Sequence, residues 1–301
     1  MSVDADRRWL GFALALIATF MAAEVVIGVL AGSLALITDA GHMLTDAAAI
    51  VLALVAIRLS AKPATGSYTF GLKRAEILSA QANGITLLLL AAFFVFEGVR
   101  RLIAPPEVEG VLVFVTALVG IAVNLAATWC ISKANRSSLN VEGAYQHILN
   151  DLFAFIATAG AGAVVWLTGF ARADAIAALM VAVLMAKAGW SLVGASGRIF
   201  LEAAPRGIDP EQIGAQLACV DAVSEVHDLH IWEITSAEPA LSAHILVAED
   251  ADCHGVRAAV ESLLHAQHGI EHTTLQVDHV RDASDRHCAE PHGRSFQSSE
   301  T

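Results

Sequence analysis

The sequence is poor in charged residues. Asp, Glu, Lys and Arg make up 16% of the 301 residues and the mean hydropathy is +0.60, whereas a soluble globular protein carries about 25% charged residues. The deficit lies in residues 9–200, and the part after Ala203 is rich in Asp, Glu and His. We therefore predict a membrane domain over residues 1–200, a soluble domain over 201–282 and a disordered tail over 283–301.

Cysteine pairs are also missing, and so is a leader-peptide cleavage site. The four cysteines contain no Cys-x-x-Cys spacing, which excludes a disulfide framework and a thiolate zinc finger. The apolar N-terminus merges into a full-length span, so we expect a retained first helix. The net charge of −12 argues against a nucleic-acid partner and fits a surface that handles cations.

What the sequence does contain is a set of long apolar stretches. About 20 apolar residues are needed to cross the hydrocarbon core as a helix. With both termini in the cytoplasm, ten Lys and Arg residues fall in inner loops and three in outer loops, as the positive-inside rule favours. We predict an all-α bundle of six transmembrane helices, at roughly 9–30, 35–57, 76–99, 110–132, 143–168 and 173–195.

The C-terminal part has a different periodicity. Asp209 is a predicted helix N-cap, followed by Pro at the first helical position. Alternating residues predict strands at 226–235 and 241–248, and a third at 273–280. A second helix is predicted over 252–268. The order α-β-β-α-β suits a small open α+β sandwich.

Two identical motifs lie within the apolar stretches. His42 and Asp46 belong to the second predicted span, and His147 and Asp151 to the fifth. Residues four apart share one face of a helix, so each pair presents an imidazole beside a carboxylate. Ionisable side chains at membrane depth are functional by default. Two nitrogens and two oxygens form a suitable tetrahedral shell for Zn²⁺.

Such a site also predicts coupling to protons. Metal binds deprotonated imidazole and carboxylate, so protons and metal displace each other, and histidine titrates near neutral pH. A site facing both sides in turn would exchange Zn²⁺ for H⁺ without ATP.

Histidines in the C-terminal part form a second group. Ten of the twelve histidines lie between His227 and His292. Some are ordinary surface residues, but others fall on neighbouring predicted elements and could converge on a second metal. The candidate ligands are His227, His230, His244, His254 and Asp278.

Four segments together resemble one family. They are residues 33–46 (SLALITDAGHMLTD), residues 68–78 (YTFGLKRAEIL), the second His-x-x-x-Asp motif and the strand HDLHIW at 227–232. This combination resembles the cation diffusion facilitator family, in particular its zinc-preferring branch, the bacterial cobalt–zinc–cadmium resistance type and the animal zinc transporters. The resemblance covers residues 10 to 280.

The resemblance implies a homodimeric Zn²⁺/H⁺ antiporter with six transmembrane helices and a cytoplasmic ferredoxin-like domain. It implies that His42, Asp46, His147 and Asp151 form the transport site, and a histidine at the first position is associated with preference for zinc over cadmium. It also implies a cytoplasmic zinc site at the dimer interface, with His227, His244, His254 and Asp278 as ligands.

The sequence departs from the family at two places. Gln276 stands where some relatives have another histidine, which counts against a two-zinc cluster. Thr65, Tyr68 and Leu72 stand where some relatives bind a metal in the loop between the second and third helices, so we predict no metal there. The family's charge contact between the third helix and the cytoplasmic domain is predicted to be Arg74 with Glu202.

Three alternatives remain from the sequence. The exported ion could be cadmium or cobalt, since these metals compete for similar ligands. The chain could be a membrane-bound zinc hydrolase, although four protein ligands leave no open position for an activated water. It could also be a membrane-anchored metal sensor, although six spans exceed the needs of an anchor. We expect no nucleotide cofactor, and location in a bacterial inner membrane.

Overall fold

The computed structural model describes residues 54–132, 139–280 and 293–297, with isolated positions between 12 and 52; within its helices, residues 131, 139–148, 150, 151 and 154 are described without their side chains. Every described residue between 12 and 60 is helical. The chain divides into two compact units, Met1–Ser196 and Gly197–Thr301.

Four long helices follow residue 70 of the first unit, and they correspond to the third to sixth predicted spans. They are α1 (Ala75–Ile103), α2 (Gly110–Ser132), α3 (Leu139–Thr168) and α4 (Arg172–Phe200). Prolines at 105 and 106 stop α1, because proline cannot continue a helix. Gly169, with φ of 71°, closes α3 in the left-handed conformation that favours glycine.

Three helical segments among the described residues are long and apolar enough to cross a membrane: Ala75–Ile103, Gly110–Cys130 and Arg172–Phe200. In α3 the apolar described segment is shorter, at Phe155–Thr168. The predicted spans at 9–30 and 35–57 lie largely outside the described residues. The predicted count of six is therefore not established by the described helices.

Glycine allows α1 and α4 to approach closely. A Cβ atom on Gly189 would lie 2.8 Å from the carbonyl oxygen of Gly84, and one on Gly84 would lie 2.9 Å from Cβ of Leu192. Around this crossing, Leu87 and Met185 belong to a buried apolar cluster. In a membrane, helix association relies on such close van der Waals packing because lipid is as apolar as the side chains.

An ion pair and a hydrogen bond join the end of α1 to the start of α4. Nη1 of Arg101 lies 2.9 Å from Oδ2 of Asp174, and its Nε lies 3.1 Å from Oε1 of Glu97. Arg172 donates from Nε to the carbonyl oxygen of Leu102 at 3.1 Å. A cation in the last turn of α1 and an anion in the first turn of α4 also suit the two helix dipoles.

The second unit has the predicted α-β-β-α-β order. Its elements are α5 (Pro210–Ala218), β1 (Val223–Thr235), β2 (Glu238–Val247), α6 (Cys253–His268) and β3 (His272–His279). β1 and β2 are antiparallel, whereas β2 and β3 are parallel. The predicted N-caps are confirmed: Asp209 accepts from the Glu211 amide at 3.0 Å, and Asp252 accepts from the His254 amide at 3.1 Å.

One face of this sheet packs against both helices. The buried core combines α5, the inward-facing residues of the strands, and α6; its fully buried side chains include Leu217, Val226, Leu241, Ile245 and Leu264. The opposite face carries the polar residues of the three strands, and this second face holds the candidate site.

The predicted disordered tail is wrong at Phe296 and Gln297. These residues form β4, which pairs with β1 and gives the sheet order β3-β2-β1-β4. The Phe296 ring packs against the core beside Gly214, and Arg294 forms a 2.8 Å ion pair with Glu211. The polar composition of the tail does not predict this edge strand, which is stabilised by packing of the Phe296 ring against the core.

The glycine crossing gives a prediction with a matched control in the same helix. Gly189→Ala should lower the melting temperature of the purified protein, because overpacking costs roughly 1–3 kcal/mol and the contact is backbone that cannot rotate away. At Gly194, by contrast, an added Cβ meets no atom within 4 Å.

Gly194→Ala should leave the melting temperature unchanged or raise it, since alanine gains roughly 0.8–1.0 kcal/mol of helix propensity over glycine. Thermal unfolding in detergent, followed by circular dichroism, measures both. Equal melting temperatures for the two variants would contradict the close crossing.

Candidate metal centres

The predicted membrane site lies outside what the structure describes in atomic detail. His42 and Asp46 fall outside the described residues. His147 and Asp151 lie within the continuous helix α3, four residues apart, and their side chains are not described. The four-ligand transport site therefore stays a prediction.

In the C-terminal unit, a β-bulge in β1 shapes the polar face of the sheet. His227 pairs with His244 and His230 pairs with Ser242, so β1 advances three residues while β2 advances two. The extra residue accompanies Asp228, whose φ is 49°. A bulge inserts one residue and re-aims the side chains around it. Here it puts Asp228 on the same face as the two histidines of β1.

Three side chains meet at this bulge. One ligand atom from each of His227, Asp228 and His244 lies within 4.8 Å of the other two. Nδ1 of His244 is 3.6 Å from Oδ2 of Asp228, and the two imidazole rings are 5.5 Å apart at their centroids. Among the described residues, this is the group of three His, Cys, Asp or Glu close enough to share a metal ion.

The cluster lies below the surface. The side chain of Asp228 is 7% exposed, that of His227 11% and that of His244 26%. Oε1 of Glu225 lies 3.4 Å from Nδ1 of His227, close to the cluster but without a hydrogen bond to that nitrogen. Two imidazole nitrogens and one carboxylate oxygen are ligands that suit Zn²⁺.

The structure brings together two of the four predicted cytoplasmic ligands, His227 and His244. His254 is exposed at the first turn of α6, outside the cluster. Asp278 pairs with Leu246 in register, and its carboxylate accepts a 2.7 Å hydrogen bond from Gln276. Neither His254 nor Asp278 belongs to the group of three.

Sequence reasoning missed Asp228. Strict alternation along β1, with His227 on the outer face, places both Asp228 and His230 on the core face. Yet His227 and His230 are three residues apart and cannot both face outward from a regular strand. A polar residue at a predicted core position, flanked by this odd spacing, was a signal of the bulge.

A cavity of about 270 Å³, lined mostly by polar residues, opens beside the cluster. Its walls come from the outer faces of β1, β2 and β3, and they offer hydroxyl, amide, imidazole and carboxylate groups. The lining residues are Asp228, His230, Ser242, Ala243, His244, Thr274 and Gln276. Since a water molecule occupies about 30 Å³ in the liquid, the cavity has room for several waters.

Two other predicted features lie among the described residues. Thr65 and Tyr68 exchange backbone hydrogen bonds in an isolated bridge, with N to O distances of 3.3 and 3.1 Å. The absence of a metal there stays a prediction. Arg74 directly precedes α1, and Glu202 has a positive φ of 56°. They belong to different units, and their contact also stays a prediction.

Two family models match the chain and together cover most of it. The cation efflux transmembrane domain matches residues 10–201, and the cytoplasmic domain of cation efflux proteins matches residues 205–280.

Curated proteins of similar sequence carry consistent names. The metal cation efflux system protein CzcD of Cupriavidus metallidurans is 36% identical over 275 residues, 91% of this chain and 87% of that protein. The cadmium, cobalt and zinc/H⁺-K⁺ antiporter of Bacillus subtilis is 33% identical, over 91% of this chain and 89% of its own length. The zinc transporter ZitB of Escherichia coli is 33% identical, over 92% and 88%.

The cluster predicts a local effect of zinc. Zn²⁺ should slow amide hydrogen exchange in peptides covering residues 223–247. At a free concentration of about 100 times its Kd, the ion adds about 2.7 kcal/mol to the free energy of opening. Hydrogen–deuterium exchange with mass spectrometry measures this strand by strand.

His227→Ala should abolish the zinc-dependent protection of these peptides. His265→Ala, which removes an exposed histidine of α6 outside the cluster, should retain it. Protection that survives the first substitution would exclude His227 as a ligand.

Proposed function

Because the chain belongs to the cation efflux family, also called cation diffusion facilitators, whose members are transporters and not enzymes, we propose that it exports Zn²⁺ from the cytoplasm in exchange for protons. The observation that carries the proposal is the pair of His-x-x-x-Asp motifs in a chain that aligns with metal exporters over nine-tenths of its length. The hydrolase alternative is set aside by the family.

The transported ion binds to His42 and Asp46 of the second predicted span and to His147 and Asp151 of the fifth. Two carboxylates offset the charge of a divalent ion, which lowers the cost of placing that ion at membrane depth. Four ligands complete a tetrahedral shell. Two of the four residues lie in α3, in line with a ligand pair on one helix.

Proton coupling follows from competition at this site. Its imidazoles and carboxylates accept either protons or the metal, so loading with metal from one side releases protons and reprotonation on the other side releases metal. One relative bears the name of a zinc/H⁺-K⁺ antiporter, which supports exchange as the mode of transport. Rocking of helices about a site near mid-membrane would give alternating access.

The proposed topology has six membrane spans and both termini in the cytoplasm of a bacterial inner membrane. The distribution of Lys and Arg supports the orientation. The C-terminal unit is a ferredoxin-like domain that forms a homodimer, and the family model matching it is named for a dimer. Cadmium and cobalt appear in a relative's name and remain alternative cargo.

The C-terminal unit binds a second zinc ion. His227 and His244 face each other across β1 and β2 and are its core ligands. His254 and Asp278 were assigned from the resemblance, and in one chain they lie outside this cluster. Metal sensing would then be a property of this unit within a transporter, and not the function of the whole chain.

Arg74 and Glu202 form a proposed charge contact between the two units. If this pair couples them, then Arg74→Glu and Glu202→Arg should each reduce zinc export, and the double swap should restore it, because opposite charges again face each other. Export assays on the three variants measure this. A double swap no better than either single variant would remove the contact.

The export mechanism is tested in proteoliposomes containing purified protein. An imposed pH gradient should drive uptake of Zn²⁺, and Asp151→Ala should abolish this uptake because the site loses one of its two negative charges. Zinc, cadmium, cobalt and manganese are compared in parallel, which fixes the cargo.

Glu109→Ala is the matched control for this experiment. It removes an exposed carboxylate from the loop between α1 and α2 of the same unit, and it should leave uptake unchanged. Zinc uptake that survives Asp151→Ala would reject the transport site, and uptake indifferent to the pH gradient would reject proton exchange.

A further inference from the structure

We propose that Asp228 is the third protein ligand of the zinc ion in the C-terminal unit, so that one chain supplies an open His227/Asp228/His244 site whose fourth position faces the polar cavity. This inference rests on the part of the proposed function that assigns zinc to this unit, and it is independent of transport. It moves the carboxylate ligand from Asp278 to Asp228.

The backbone at Asp228 is the first step. Its φ of 49° lies in the left-handed region, which residues other than glycine adopt uncommonly. It lies within a strand, not in a hairpin turn. Left-handed residues of this kind, where they are not glycine, concentrate at binding sites because the surrounding structure holds a side chain in a useful place. The bulge places this carboxylate beside His227 and His244.

The distance between ligand atoms is the second step. Two atoms bound to one tetrahedral Zn²⁺ at about 2.0–2.1 Å lie about 3.3 Å apart. Nδ1 of His244 and Oδ2 of Asp228 are 3.6 Å apart, beyond an ordinary hydrogen bond and close to this separation. For this pair, a side-chain movement of a few tenths of an ångström closes the difference.

Charge and burial are the third step. The Asp228 side chain is 7% exposed, so its carboxylate has lost most of its contact with water. A divalent cation between this carboxylate and two imidazoles would balance a negative charge that is held away from water. The remaining ligands are neutral, so the bound site would keep a net charge of +1.

The cavity beside the cluster decides the character of the site. Structural zinc sites have four protein ligands, whereas sites with three protein ligands hold water or another small ligand in the fourth position. The hydroxyls of Ser242 and Thr274 and the amide of Gln276 line the cavity and can hydrogen-bond to such a water. The ion would therefore exchange with the surrounding solution through the cavity.

The experiment measures zinc affinity of the full-length protein carrying Asp151→Ala, which removes a ligand from the proposed transport site. Competition with a chromophoric chelator reports the Kd. Asp228→Asn and Asp228→Gly are compared with Asp278→Asn. Asparagine and glycine both tolerate a left-handed backbone, so the fold should survive, and unchanged melting in chelator verifies it.

Loss of a direct ligand should weaken zinc binding at this site by at least about 100-fold, the upper end of what loss of an outer-shell partner costs. Both Asp228 variants should show this loss, and Asp278→Asn should bind as the parent does. Weaker zinc binding in Asp278→Asn alone would overturn the proposal. Equal weakening in all three variants would also overturn it, because it would indicate a closed site with four protein ligands.

Co²⁺ tests the open position. Azide added to the Co²⁺-loaded protein should shift its visible absorption band, because the anion replaces the water in the fourth position. The same addition to the His227→Gln/Asp228→Asn protein should give no shift, and a band insensitive to azide in the parent would reject the open site.

These readouts separate this proposal from the export function. Absence of zinc flux from the unsubstituted protein, together with the expected binding losses, would reject export and leave the site in place. Flux that depends on Asp151, together with unchanged affinity in both Asp228 variants, would do the reverse.

Discussion

The cost of placing a divalent ion in hydrocarbon is the constraint on which this molecule depends. Such an ion cannot cross unless protein ligands replace its water and carboxylates offset its charge. The helices of such a membrane domain must pack closely without help from the hydrophobic effect, since lipid is equally apolar. The glycines at the α1–α4 crossing answer that need, as Gly84 and Gly189 leave room for backbone to approach backbone.

In the C-terminal unit, a local departure from regularity organises the chemistry. A regular β1 would direct His227 to the polar face and Asp228 to the core. One extra residue, accommodated at Asp228 in a left-handed conformation, puts both on the polar face opposite His244. The same extra residue lets Val226 and Ile231, five residues apart, both lie in the hydrophobic core. The bulge thus brings a group of possible metal ligands to one face of the sheet and keeps apolar residues on the other.

The sequence predicted features governed by periodicity and by local hydrogen bonding. Apolar runs located four of the described helices, and Asp209 and Asp252 were identified as N-caps because capping is a property of a few adjacent residues. It missed features governed by tertiary contact. Phe296 packs against a core whose residues are distant from it in the sequence. Asp228 joins the cluster through a bulge, which strict alternation of side chains does not predict. Asp46 and Asp151, proposed as ligands from different predicted spans, stay predictions because the structure does not describe their side chains.

The two proposed sites differ in the number of protein ligands, and their surroundings explain the difference. In hydrocarbon, little water is available to occupy a free coordination position, so four side chains are needed to complete the shell. At a polar cavity of about 270 Å³, water is freely supplied and three side chains suffice. An open site releases its ion to the solution without any helix movement. In this proposal the open site follows the concentration of free metal around the C-terminal unit, whereas the membrane site passes its ion to the other side only when the helices move.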